Sequence, residues 1–266
     1  MHFRRMRLVL ALALVLGVLG VQPAMAASLS AAYSVRWNGI EIGRFDVELR
    51  RNAGDYHLAY HARTSGPLSW VARFSSSGWA SGRLGEAGVT PMRFQGASRW
   101  RDGEGFWRLS FGADGQVTAL ELDEWTRADR EPVPPELQRG PDPLSLMLQA
   151  MLEAGAGRTI EGRSFDGRRA MRYDLVCAAE RLPIEPAALG AESLDALVCE
   201  ADGALEAGRS KRWSDAAEDR TRERSPVRVW LVPELGGLPH WPVRIEADSR
   251  FGGVTVELET LSDPRA

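Results

Sequence analysis

Few side chains in this sequence combine the type and the spacing that chemistry demands. There are four histidines, His2, His57, His61 and His240, and one lysine, Lys211. Lys211 follows Ser210 and precedes Arg212, so no Gly-Lys-Ser/Thr phosphate loop exists. His57 and His61 stand four apart, which on a helix would put both on one face. On a strand the same spacing covers about 13 Å, too far for one ion, so the pair reads as two residues on a wet face and no metal is expected. A serine hydrolase would need His57, His61 or His240 as its base; His240, in Leu238-Pro239-His240-Trp241, sits between apolar anchors in a predicted loop. No G-x-S-x-G elbow, H-E-x-x-H helix, cysteine-rich zinc pattern or G-x-G-x-x-G turn occurs. Asp123 and Glu124 are adjacent and would point to opposite faces of a strand, which leaves a glycosidase pair open. The residues point to a non-catalytic protein without a cofactor, with a hydrolase as the lesser alternative.

The two cysteines, Cys177 and Cys199, lie in the strand-like runs YDLVC and ALVCE. Their pairing as a disulfide follows if the chain is exported, and two buried thiols are the alternative. Export is what the amino terminus predicts. Arg4, Arg5 and Arg7 precede an apolar run from Leu8 to Val21, and Ala24-Met25-Ala26 reads as a small-residue cleavage site, so residues 1–26 are a signal peptide cut after Ala26. A membrane anchor would need roughly 20 apolar residues and anchoring flanks, so no permanent span is expected after its removal. Cleavage removes three of the 33 basic residues and none of the 36 acidic ones. The acidic remainder argues against a nucleic-acid partner.

The elements that must position these residues are strands. Asn38-Gly39 joins two alternating runs within Tyr33 to Leu49 and predicts a two-residue hairpin with Trp37 facing Ile40, Val35 facing Ile42 and Arg36 facing Glu41. The apolar parity changes after Gly43, which predicts a glycine bulge and a bent sheet. Tyr56 to Arg63 alternates as a third strand, and Ser75 to Ser81 resumes after a break at Ser65-Gly66-Pro67. Phe94 to Arg101 and Phe106 to Phe111 form a further hairpin with a four-residue loop, predicting Trp100 opposite Trp107 on the dry face and Arg99 opposite Arg108 on the wet one. Arg99, Arg101 and Arg108 would then form a basic stripe. Gln116 to Trp125 is another strand, Thr159 to Val176 a hairpin turned at Asp166-Gly167, and Leu194 to Ala204 a strand that brings Cys199 beside Cys177. Val227 to Val232, Val243 to Ala247 and Val254 to Leu258 complete about ten strands. Ala178 to Glu192 reads as a loop with room for one helical turn, residues 127–141 as a proline-rich seam, and 206–224 as a mobile charged loop.

Asp142-Pro143 supplies a cap and a first-turn proline, and Leu144, Met147, Leu148, Met151 and Leu152 share one helical face before Gly155. The fold class is therefore mainly β: a curved antiparallel sheet or incomplete β-barrel, residues 27–266 as one domain, with one main amphipathic helix packed on it. Leu68 to Phe74 is a short amphipathic piece, either a plug of the concavity or a flap. If the concavity holds an apolar ligand, its lining would be Trp70, Phe74, Trp79, Trp100, Trp107, Leu144, Met147, Leu148 and Met151. Trp37, Trp79, Trp100 and Trp107 also fall where alternation places core.

Several motifs together carry a resemblance. Tyr33 to Gly43 (YSVRWNGIEIG), Pro91 to Phe94, the Asp142-Pro143-Leu144-Ser145 helix start and the closing WPVRIE of Trp241 to Glu246 resemble domain-of-unknown-function family 3108. The resemblance implies an exported, β-rich bacterial protein, and it implies no catalytic residue. The expectation is a periplasmic protein binding a lipid or acyl ligand in its sheet, or an assembly or structural factor of the envelope that binds a protein partner through an edge strand or its tryptophans.

Overall fold

The computed structural model describes residues 27–262 except 53, 87, 102, 191–192, 212–226 and 250–251. The predicted signal peptide and most of the predicted mobile loop lie outside the described residues. Within them the chain forms thirteen strands of one sheet. β1 (Ala27–Trp37), β2 (Ile40–Asn52), β3 (Asp55–Thr64), β4 (Ser75–Gly85), β5 (Gly88–Trp100), β6 (Gly103–Phe111) and β7 (Val117–Leu122) follow one another as a meander. β8 (Thr159–Phe165), β9 (Ala170–Ile184), β10 (Leu194–Ala207), β11 (Val227–Pro233), β12 (His240–Ser249) and β13 (Gly252–Ser262) form a second meander, and the two halves join where β1 pairs antiparallel with β13.

β7 and β8 are the two edges of this sheet. They do not pair with each other, so the sheet is barrel-like without being closed. Residues 130–141 lie across the gap: Arg139 bridges Gln116 beside β7, Arg130 bridges Ser210 beyond β10, and the Phe165 amide of β8 donates to the Pro141 carbonyl. The proline-rich seam thus touches the end of β8 and the residue before β7, next to the two unpaired edges.

The Asn38-Gly39 hairpin forms as expected, with both turn residues at positive φ and Trp37 opposite Ile40. The bulge falls one step earlier than the simple register implies: Arg36 pairs Glu41, Val35 pairs Gly43 rather than Ile42, and Ile42 is the extra residue. The crease puts Phe45, Val47 and Leu49 on the inner side, and it leaves Trp37 and Ile40 exposed at the tip instead of on a dry face. The β5–β6 loop also differs. It has two residues where four were expected, so Trp100 faces Gly103, Arg99 faces Glu104, and Trp107 faces Gly96. The reason is packing. The Trp107 indole lies flat on Gly96, where a Cβ would overlap the ring, and a tryptophan opposite would have no room. The expected basic stripe is dispersed by the same register, since Arg99 pairs with Glu104 (2.5 Å) and Arg108 with Glu121 (2.8 Å).

Among the described residues three α-helical pieces accompany the sheet, α1 (Leu68–Val71), α2 (Glu124–Asp129) and α3 (Pro143–Glu153), with 3₁₀ turns at Pro135–Leu137, Ala187–Leu189 and Leu235–Gly237. α2 replaces the end of a predicted strand, because the Asp123 side chain caps the Thr126 amide (3.0 Å) and Trp125 folds down over Gly103 and Gly105. Pro183 does not end β9, which continues to Ile184, and Glu206 belongs to β10, where it pairs with Arg163 (2.9 Å). α3 is the long helix the sequence predicts. Its Leu144, Leu148 and Met151 are buried with Leu58, Phe94, Phe165, Trp241 and Val243 in the main core, inside the bend of the sheet. A smaller core of Leu197, Leu231 and the Cys177–Cys199 disulfide (S–S 2.08 Å) lies across β9, β10 and β11.

Candidate functional site

Strand direction divides the molecule into two ends. The β1–β2 tip, the β3–β4 connection with α1, the β5–β6 tip, α2 and the β8–β9 turn share one end; α3 and the β11–β12 connection lie toward the other. At the α3 end the interior is filled. Asp142 caps the helix by accepting from the Leu144 and Ser145 amides (both 3.0 Å) and from the Ser145 hydroxyl, which also shares a hydrogen bond with the Tyr56 hydroxyl (2.5 Å). Burial pushes the Asp142 carboxyl up to about 6 despite those donors, and burial likewise raises the Tyr56 phenol. His240 is buried nearby, its pKa lowered by burial and then by the Arg181 charge.

The opposite end is a rim of uncovered aromatic side chains. Trp70 is 85% exposed, Ile40 59%, Trp100 49% and Trp37 43%. All four stand at the same end of the sheet. The Ser65 amide donates to the Ile42 carbonyl (3.0 Å), tying α1 to the β1–β2 tip, and Phe74, which follows α1, packs on Trp100 at 4.3 Å. Charge on this rim is mixed and mostly paired, as in Arg44–Glu41 (3.2 Å) and Arg99–Glu104, with Arg73 and Arg101 exposed beside them.

Between rim and core lies the group that sequence reading missed. The β8–β9 turn brings Asp166, Arg168 and Arg169 inward, and the Arg168 guanidinium stacks 3.5 Å from the centre of the Trp107 ring. Burial works to raise the Asp166 carboxyl, but the Arg169 and Arg168 charges outweigh it and hold it below its ordinary range. Burial lowers Arg168 to about 10. Tyr60 lies within electrostatic reach of both arginines and belongs to an inner aromatic row, Tyr33–Phe45 (6.1 Å) and Phe45–Tyr60 (5.8 Å), in which Phe45 and Tyr60 are only half-buried. The signal available in the sequence was the Asp166-Gly167-Arg168-Arg169 turn itself, whose two arginines read locally as solvent-facing.

The predicted ligand-lining residues therefore separate into three groups. Trp70, Phe74 and Trp100 belong to the rim; Trp79 is on the outer face, stacked on His57 at 5.5 Å; Trp107, Leu144, Leu148 and Met151 are interior, with Met147 partly buried. His61 is exposed on the outer face, 3.9 Å from Asp46, which also pairs with Arg63 (3.5 Å). It is shared by two open depressions of about 370 and 340 Å³, one over β3 to β6 and the other over β13 and β1 to β3. Among the described residues no group of three histidine, cysteine or carboxylate side chains converges as a metal site would require, and no helix is long and apolar enough to cross a membrane.

An unclosed, thirteen-stranded antiparallel sheet with a helix inside its bend defines a barrel-like β protein. The family model described as "Protein of unknown function (DUF3108)" matches residues 32–259, and this chain belongs to that family. No curated protein sequence matches it. The crystal structure of a beta-barrel-like protein of domain of unknown function DUF1849 from Brucella abortus is similar, with a TM-score of 0.50, 13% identity, and coverage of 89% of this chain and 98% of that one. At that identity the likeness is one of fold.

Proposed function

We propose that this chain is an exported, non-catalytic binding protein of the bacterial envelope that engages a protein partner through its aromatic rim. The observation that carries this reading is Trp70 at 85% exposure, at the same end of the sheet as the exposed Trp37, Ile40 and Trp100. Leaving such side chains in water forgoes about 1.5–3 kcal/mol each, and aromatic residues flanked by arginine are the usual anchors of protein interfaces. Paired charges of both signs favour a protein over an anionic bilayer, which would be met by a clear positive surplus. The test is a photo-cross-linking residue placed at position 70 of the exported chain. A discrete protein adduct that disappears with Trp37→Ser and Trp100→Ser supports the reading; lipid adducts alone, or none, reject it.

A second reading is an apolar or lipid-like ligand held in the sheet. It is favoured by Phe45 and Tyr60, which face inward yet remain half-buried. Because α3 fills the other end, such a ligand would lie between that core and the rim. Native mass spectrometry of gently extracted protein that shows only the bare chain would exclude it.

A further inference from the structure

The Asp166 carboxylate is saturated. Its Oδ1 accepts from the backbone amides of Arg168 (2.8 Å) and Arg169 (2.7 Å), and its Oδ2 accepts from Arg169 Nε (2.9 Å) and Nη2 (2.8 Å). Arg168 is left at 3.7 Å from the same oxygen, beyond hydrogen-bond distance, and stacked on Trp107. Arg168 Nε and Trp107 Nε1 are both buried without an acceptor among the described residues. Two orphaned donors in one stacked pair are unusual, because buried donors nearly always find partners. Both lack an acceptor, and the turn carries two guanidiniums against one carboxylate. Only 17% of the Arg168 side chain reaches solvent, so water screens the surplus charge poorly.

We propose that the Arg168–Trp107 pair is a receptor for an anionic oxygen group, a carboxylate or phosphate, approaching from the rim end. The guanidinium presents a planar fork suited to two oxygens of such a group. Trp107, clamped between the Gly96 backbone and Arg168, fixes the orientation of that fork. The half-buried Phe45 and Tyr60 would suit an apolar tail attached to the anion. That extension rests on the second reading above, whereas the anion site itself depends on neither reading.

The experiment uses the full chain without its signal segment, labelled with ¹⁵N-arginine and ¹⁵N-tryptophan, and follows the Arg168 Nε–H and Trp107 indole N–H signals in NMR. The probes are inorganic phosphate, dodecyl phosphate and dodecanol. Saturable shifts of both signals with a phosphate-bearing probe and none with dodecanol are expected, and Arg168→Gln should weaken binding about tenfold or more. Arg168→Lys, which keeps the charge and loses the fork, should fall between. Binding of inorganic phosphate identifies a free anion as sufficient; binding of dodecyl phosphate alone identifies an amphiphile head group and supports the lipid-like reading. If Arg168→Gln does not fold, the wild-type titration decides. Shifts that are absent up to millimolar probe, or that dodecanol reproduces, overturn the proposal.

Discussion

Asp142→Ala should cost this protein more in acid than at neutral pH, opposite to the usual behaviour of a capping carboxylate. The side chain serves three donors, the Leu144 and Ser145 amides and the Ser145 hydroxyl, and none is exposed. Loss of a cap costs about 1 kcal/mol, and each stranded buried donor about 1–3 kcal/mol. With neighbouring terms not fully additive, the total is about 3–5 kcal/mol. The folded-state pKa is raised from 3.8 to about 6 by burial. A raised carboxyl contributes stability that is fully present below the unfolded pKa and is lost as pH rises through the folded one. The shift corresponds to about 3 kcal/mol in full, of which about 2 kcal/mol falls between pH 4.5 and 7.5. The cost of Asp142→Ala should therefore shrink by about 2 kcal/mol across that window. Urea unfolding of both proteins at a series of pH values measures it, since the difference cancels carboxylates common to the two. A cost that stays constant or grows with pH would refute the burial argument.

Three further outcomes follow from the packing. Gly96→Ala drives a methyl into the Trp107 ring, and an overpacked site of this kind should lose about 1–3 kcal/mol, read by denaturant midpoint and tryptophan emission; unchanged values would mean the ring is free to move. Replacing Cys177 and Cys199 by alanine opens a crosslink of sequence separation 22, and should cost about 3 kcal/mol in thermal unfolding, with reduction of the wild type giving a similar loss. Trp70→Ser should leave stability within about 0.5 kcal/mol in thermal unfolding, as exposed positions do, so that any loss of partner binding by that variant reports the rim rather than the fold.

How much of this was legible beforehand follows the range of the interactions. Turn chemistry at Asn38-Gly39 and Asp166-Gly167, period-two alternation and the Asp142-Pro143 cap act within a few residues, and the two turns and the capped helix form where expected. Errors arose where a distant or steric contact decided. The β5–β6 register slipped because Trp107 needs Gly96 beneath it, and α2 formed because Asp123 caps Thr126 while Trp125 covers two glycines. The rim could not be separated from the core by alternation, since Trp37, Trp100 and Trp107 have the same parity signature and differ only in how far their strands project.

By itself the sequence determined that this chain is a bent antiparallel sheet with one capped amphipathic helix, that its cysteines fall on strands able to meet, and that it belongs with the family its motifs resemble, because local hydrogen bonding and side-chain periodicity specify such features. Only the tertiary structure decided that β1 pairs with β13, that the proline-rich seam bridges Gln116 beside β7 and Ser210 beyond β10, and that Arg168 turns inward onto Trp107. Those outcomes depend on free energy gained between residues far apart in sequence, where the fit of one surface against another determines which contact forms.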